Sequence, residues 1–157
     1  MKVLVQRVSR AQVTVADEVV GSIGRGVVVL LGVERGDDER LAVWYARRLA
    51  VLRLFPAADG TPWSRSLVDV GGGALVVSQF TLAARTRKGR RPSFDRAADP
   101  PVAESLYERF AAELEQLGVA VARGRFGAMM RVELVNDGPV TFLLDGPSPG
   151  DAKEARA

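Results

Sequence analysis

Residues 130–144 read Met130-Arg131-Val132-Glu133-Leu134-Val135-Asn136-Asp137-Gly138-Pro139-Val140-Thr141-Phe142-Leu143-Leu144. How this stretch folds decides the last part of the architecture, because a turn-forming tetrapeptide sits between two apolar runs. Met130 to Val135 alternates as a half-buried strand does, and Val140 to Leu144 is almost wholly apolar. Asp-Gly between two strands reads as a hairpin turn. Proline has no N–H to give to a ladder, and an X-Pro bond is the one peptide bond that adopts cis at modest cost. A second reading therefore makes Asn136 to Pro139 a main-chain device that faces a ligand, and these residues alone leave both open.

Working outward, Val3, Val5 and Arg7, then Val13 and Val15, then Val19, Val20 and Ile23 mark short strands, punctuated by Asp17 and Gly21. Val27-Val28-Val29-Leu30-Leu31 is apolar on both sides, as a central strand buried on both faces would be. Asp37-Asp38 opens a helix that runs to about Leu49, with Leu41, Trp44, Tyr45 and Leu49 on one face. Leu52, Leu54 and Phe55 form a strand ended by Pro56, and Ala74 to Leu82 forms another after the Gly71-Gly72-Gly73 hinge. Asp99 caps a second helix, Pro100 occupies its first turn, Gly118 ends it, and Val102, Leu106, Phe110, Leu114 and Leu117 form its stripe. Many strands with two separated helices predict an α+β fold, a largely antiparallel sheet or open β-barrel carrying two main helices. One domain over 1–145 is expected, with 146–157 as a flexible C-terminal tail.

The residues that are missing narrow the chemistry. The 157-residue chain has no Cys and no His, which removes disulfides, thiolate nucleophiles, Ser-His-Asp devices and the usual zinc ligand sets. Catalysis is left to carboxylates, hydroxyls, Lys or Arg, main-chain dipoles or the substrate itself. No metal site and no cofactor are expected. The composition, 47% apolar and 26% charged, suits a soluble globular domain, no run reaches the roughly 18 apolar residues of a membrane span, and no signal-peptide core opens the chain. A cytoplasmic protein without a membrane partner is expected. The net charge of +3 permits a nucleic-acid partner without demanding one.

Three constellations could carry chemistry. Ser78-Gln79-Phe80-Thr81 ends a buried strand just before a loop, where side chains and free amides can face a pocket, although Ser and Thr also commonly finish strands. Thr81 is a poor nucleophile, since no His or neighbouring Lys is offered as its base. Arg85-Thr86-Arg87-Lys88-Gly89-Arg90-Arg91 holds five basic residues in seven, a pattern for binding phosphates or simply a solvated loop. Met129-Met130 reads as core or pocket wall. Asp69, Asp95, Asp137 and Asp145 lie near turns, where Asp caps main-chain amides, and they form no paired acid and base.

In order along the chain, Gln6-Arg7-Val8-Ser9-Arg10-Ala11, Ser78-Gln79-Phe80-Thr81-Leu82, Thr86-Arg87-Lys88-Gly89-Arg90-Arg91-Pro92-Ser93-Phe94 and Asn136-Asp137-Gly138-Pro139-Val140-Thr141 resemble the D-aminoacyl-tRNA deacylases over about residues 1 to 145. The resemblance implies the fold of that family and a homodimer that hydrolyses the ester of D-aminoacyl-tRNA, and of glycine misattached to tRNA. It implies that Gly138-Pro139 is cis and enters the partner subunit's pocket, where its carbonyls leave no room for an L side chain, and that Arg7 helps to hold it. It further implies catalysis assisted by the 2′-hydroxyl of the terminal adenosine, with amides near Phe80 and Thr81 stabilising the oxyanion and no side chain as base. Ser78, Gln79, Phe80 and Thr81 then form the catalytic pocket. Gly138, Pro139, Arg7 and Met130 contact the substrate or its selector, and Arg87, Lys88, Arg90 and Arg91 bind tRNA; no DNA partner is expected. The chain departs from the family at Ala83-Ala84-Arg85, often Tyr-Ala-Asp, and at Met129, often Asp, which puts substrate range and tRNA preference in question.

Two other classes compete. A non-catalytic module that binds tRNA or ribosomal RNA would use the basic loop and treat Gly138-Pro139 as a turn. A hydrolase of small esters would use neither.

Overall fold

A computed structural model describes residues 1–87 and 89–147 of the chain. Its organising element is β1 (Lys2–Val15), a 14-residue strand that joins segments expected to be separate. β2 (Glu18–Ile23) and β3 (Gly26–Gly32) follow as its antiparallel partners, β2 along its second half and β3 along its first. The other side of β1 is taken along its length by β8 (Arg131–Leu143), also antiparallel. β6 (Gly73–Ser78) adds to β3, and β7 (Ala120–Arg123) adds to β6, both in parallel.

The parallel half explains the helices. Parallel neighbours need a long crossover, and α1 (Glu39–Val51) lies between β3 and β6 while α2 (Pro100–Gln116) lies between β6 and β7. The first crossover also holds the small antiparallel pair β4 (Arg53–Phe55) and β5 (Arg65–Ser66). The fold is thus α+β on a mixed, nearly closed sheet, with two main helices as expected. Asp38 caps α1 by accepting from the Leu41 amide at 2.9 Å. Asp99 stands at the start of α2 in extended conformation but makes no side-chain cap bond, so Pro100 and the missing donor of its ring set that end.

Both faces of the sheet are buried, for two different reasons. Val27, Val29 and Leu31 of β3, with Ala74 and Val76 of β6, face a core shared with α1 and α2. Val28, Leu75 and Val77, on the opposite face, pack against Val8, Ala11 and Val13 of β1, the strand bending over the sheet it belongs to. This is why the run Val27 to Leu31 carries no alternation. In α2 the stripe is Leu106, Tyr107, Phe110, Ala111 and Leu114, whereas Val102, expected in it, is exposed near the first turn. Glu113 is also buried on that face and takes a 2.7 Å hydrogen bond from Arg47 of α1.

The hairpin reading of Asn136 to Pro139 is wrong. Both halves of the 130–144 stretch pair antiparallel with β1, so the chain does not reverse between them. Thr141 lies opposite Gln6 and Asn136 opposite Val8, so Asp137, Gly138, Pro139 and Val140 together face the single residue Arg7. The tetrapeptide is the start of a bulge, an excursion from one continuous strand. Two turn residues and a proline look alike in sequence whether the chain turns back or steps out.

Candidate active site

The bulge is held by its neighbours. Arg7 donates from Nε to the Asp137 carbonyl at 2.9 Å and from Nη1 to the Leu54 carbonyl at 2.7 Å, and its guanidinium stands 3.3 Å from the Asp137 carboxylate. Asn136 spans the base of the excursion, accepting from the Val140 amide at 2.9 Å and donating to Thr141 Oγ1 at 3.0 Å. Gln6 reaches the same hydroxyl at 3.3 Å. The Gly138–Pro139 bond is cis, and Gly138 has φ of 145°, a region L side chains rarely adopt. A Cβ there would stand 2.6 Å from Val140 Cγ2 and 2.8 Å from its amide nitrogen. Gly138 and Pro139 themselves are exposed.

The second group lies at the C-terminal end of β6. The strand stops at Ser78, and Phe80–Ala83 continues as a single 3-10 turn instead of the expected strand to Leu82. Gln79 anchors the change of direction, its amide donating to the Leu31 carbonyl at 2.8 Å while its side chain bonds Thr81 Oγ1. The amides of Phe80 and Thr81 open the turn and donate to no acceptor among the described residues, so they are free to bind an anionic oxygen. The Phe80 ring is exposed and meets Phe94 edge to face, centroids 4.9 Å apart.

Met130 reaches this end of the sheet from the other side. Its sulfur sits so close to Gly124 that a Cβ there would lie 2.7 Å away, and it packs on the cluster containing Leu75 and Val77. Gly124 and Tyr107 both donate to the Val76 carbonyl, each at 2.9 Å, which ties the end of β6 to α2 and to the loop bearing Met130. Burial pushes the Tyr107 hydroxyl up to about 12, so it stays a proton donor. Met129, read with Met130 as core or pocket wall, is instead 92% exposed. Neither Tyr107 nor Gly124 was singled out in the sequence, because an isolated Tyr in a helical stripe and a Gly in a loop carry no sign of what they touch.

The basic loop is closed at its base by a two-way main-chain pair between Arg85 and Ser93, at 2.7 and 3.0 Å. Arg87, Arg90 and Arg91 are exposed on it, and Lys88 lies outside the described residues. The structure therefore assembles two groups, Arg7 with Gly138-Pro139 and Ser78 to Thr81 with Phe94, but within one chain it does not join them. Strands β1 and β3 separate β8 from β6, roughly 14 Å of sheet width at about 4.8 Å per strand. Along the strands Arg7 is level with Val27 and Ser78 with Leu31, a further four residues or roughly 13 Å. A concavity of about 1390 Å³ between α1 and the end of β8 is lined by Trp44, Trp63, Phe142 and Leu144 and contains none of Ser78 to Thr81.

Residues 4–145 match the family described as D-Tyr-tRNA(Tyr) deacylase. The chain belongs to this family. Curated deacylase-family relatives include a D-aminoacyl-tRNA deacylase of Roseiflexus sp. (strain RS-1), 61% identical over 92% of this chain and 93% of the relative. Another, from Syntrophotalea carbinolica, is 57% identical over 92% of this chain and 97% of the relative. Among solved structures, one titled c-Myc DNA Unwinding Element Binding Protein is 40% identical with a TM-score of 0.87, covering 94% of this chain and all 100% of that one. One described as a probable eukaryotic D-amino acid tRNA deacylase shares the fold at 20% identity, with a TM-score of 0.77 over 91% of this chain and 97% of that one. No helix among the described residues is long and apolar enough to cross a membrane.

Proposed function

We propose that this deacylase-family chain hydrolyses the ester that joins a D-amino acid, or glycine, to the terminal adenosine of tRNA, releasing the free amino acid and tRNA. The observation that carries the reading is the separation just described: an exposed Gly138-Pro139 excursion held by Arg7 in one place, and in another the Phe80 and Thr81 amides, which donate to no acceptor among the described residues. A homodimer completes the site, with Gly138 and Pro139 of the partner subunit entering beside Ser78 and Gln79. Their carbonyls face the substrate's α-amino end and leave space for hydrogen at the position an L side chain would occupy. Met130 closes one wall, and Arg87, Lys88, Arg90 and Arg91 hold tRNA phosphates.

Water attacks the ester carbonyl, the negative charge that develops on its oxygen is met by the Phe80 and Thr81 amides, and the intermediate expels the 3′-oxygen of adenosine. The neighbouring 2′-hydroxyl helps to activate the water, which suits a chain without His or Cys. Such proofreading takes place where charged tRNA is found, in the cytoplasm. Purified protein should release D-tyrosine from D-Tyr-tRNA and leave L-Tyr-tRNA intact; equal cleavage of both, or of neither, would sink the reading.

A second reading, a non-catalytic nucleic-acid-binding module, is favoured by the DNA-related title of the 40% identical structure. It requires retention of charged tRNA by the protein with no amino acid released, which the same assay reads.

A further inference from the structure

We propose that Phe80 and Phe94 form a stacking ledge for a nucleobase of the unpaired 3′ end of tRNA. This rests on the reading that the chain acts on aminoacyl-tRNA. Phe80 and Phe94 are 55% and 39% exposed, unusual for a pair of phenylalanines in contact, and their rings meet edge to face at 62°. Each ring is anchored by main chain. Phe80 opens the 3-10 turn whose first amides are free, and Phe94 directly follows Ser93, which is paired in both directions with Arg85.

The surroundings select the occupant. The loop between the rings carries Arg85, Arg87, Arg90 and Arg91, all exposed, and none of the four forms an ion pair with a carboxylate among the described residues. Exposed aromatic rings flanked by unneutralised guanidinium groups are how proteins hold single-stranded nucleic acid: rings take bases and arginines take phosphates. An apolar peptide would leave those charges uncompensated. A base on the ledge would also lie beside the Phe80 and Thr81 amides, next to where the ester must sit.

The test compares Phe94→Leu and Phe94→Trp with the unaltered protein on D-Tyr-tRNA and on the D-tyrosyl ester of adenosine alone. Leu keeps the apolar contact with Phe80 but has no π-face, so F94L should raise KM for D-Tyr-tRNA about 5- to 100-fold, the range one stacked base is worth, while F94W stays near the unaltered value. The slope of log KM against log salt should not change in F94L, because no phosphate contact is lost. A rise in KM on both substrates places the terminal adenine on the ledge; a rise on tRNA alone places a preceding base there. An unchanged KM in F94L, or equal losses in F94L and F94W, overturns the ledge. Absence of D-Tyr-tRNA cleavage by the unaltered protein would instead overturn the deacylase reading.

Discussion

Arg7 and Asp137 are joined twice across the β1–β8 pair, by the 2.9 Å bond from Nε to the Asp137 carbonyl and by a 3.3 Å ion pair with its carboxylate. One arginine, opposite four residues of the other strand, is therefore the support on which the Gly138-Pro139 excursion stands. Its second anchor, the Leu54 carbonyl, connects that support to β4 on a different part of the fold. A planar, multi-donor fork is needed to reach both acceptors, which Lys cannot supply.

Replacing Arg7 should loosen the Gly138-Pro139 excursion without unfolding the chain. Arg7→Lys is expected to reduce the ratio of D-Tyr-tRNA to L-Tyr-tRNA cleavage at least about tenfold, since one charged hydrogen bond is worth roughly 1.5 kcal/mol or more. Initial rates on the two substrates check this. An unchanged ratio would mean the excursion holds its shape unaided.

Gly138→Ala places a methyl 2.6 Å from Val140 in a backbone region that disfavours it. The bulge must then shift, and the expected result is loss of D-Tyr-tRNA cleavage with a melting temperature lowered by only a few degrees, because the segment is exposed.

If the two half-sites meet across a dimer, inactive variants should rescue one another. Gly138→Ala mixed equally with Thr81→Tyr, which adds bulk at the exposed turn carrying the proposed oxyanion amides, should recover roughly a quarter of the unaltered activity: half the dimers are mixed and each has one intact site. Recovery of nothing, with exchange verified by native mass spectrometry, would place both halves of the site in one chain.

Tyr107→Phe removes one of two donors to the Val76 carbonyl. A cost of about 1 kcal/mol is expected in urea unfolding, since Gly124 still satisfies the acceptor.

Glu113 ties the helices together and titrates accordingly. Burial alone would raise its pKa, but hydrogen bonds from Arg47 and Arg109 outweigh that and hold it below the ordinary glutamate value of 4.5. A lowered folded-state pKa contributes stability that is fully present above the unfolded value and is lost as pH falls through the folded one. Urea midpoints should therefore drop more steeply below about pH 4.5 in the unaltered protein than in Glu113→Gln. Parallel curves would show the triad contributes nothing to acid stability.

Much of the fold was legible along the chain. The two helices and the doubly buried run Val27 to Leu31 are local matters of periodicity, caps and apolar runs, whereas the strand expected to reach Leu82 stops at Ser78 and gives way to a 3-10 turn. The parallel pairings were not legible, because a strand buried on both faces reads the same with either neighbour orientation. Val102 and Met129 were misplaced for a related reason: a stripe or an apolar pair does not show where the partner element ends.

By itself the sequence determined which chemistry is excluded, through the absence of His and Cys, and which family the chain resembles. Only the tertiary structure decided what Asn136 to Pro139 does. Turn residues specify a departure from extended backbone, but its direction depends on what lies across the strand. Here the same β1 runs past both halves of β8, with Arg7 placed to accept four residues against one, so the chain steps outward and carries on.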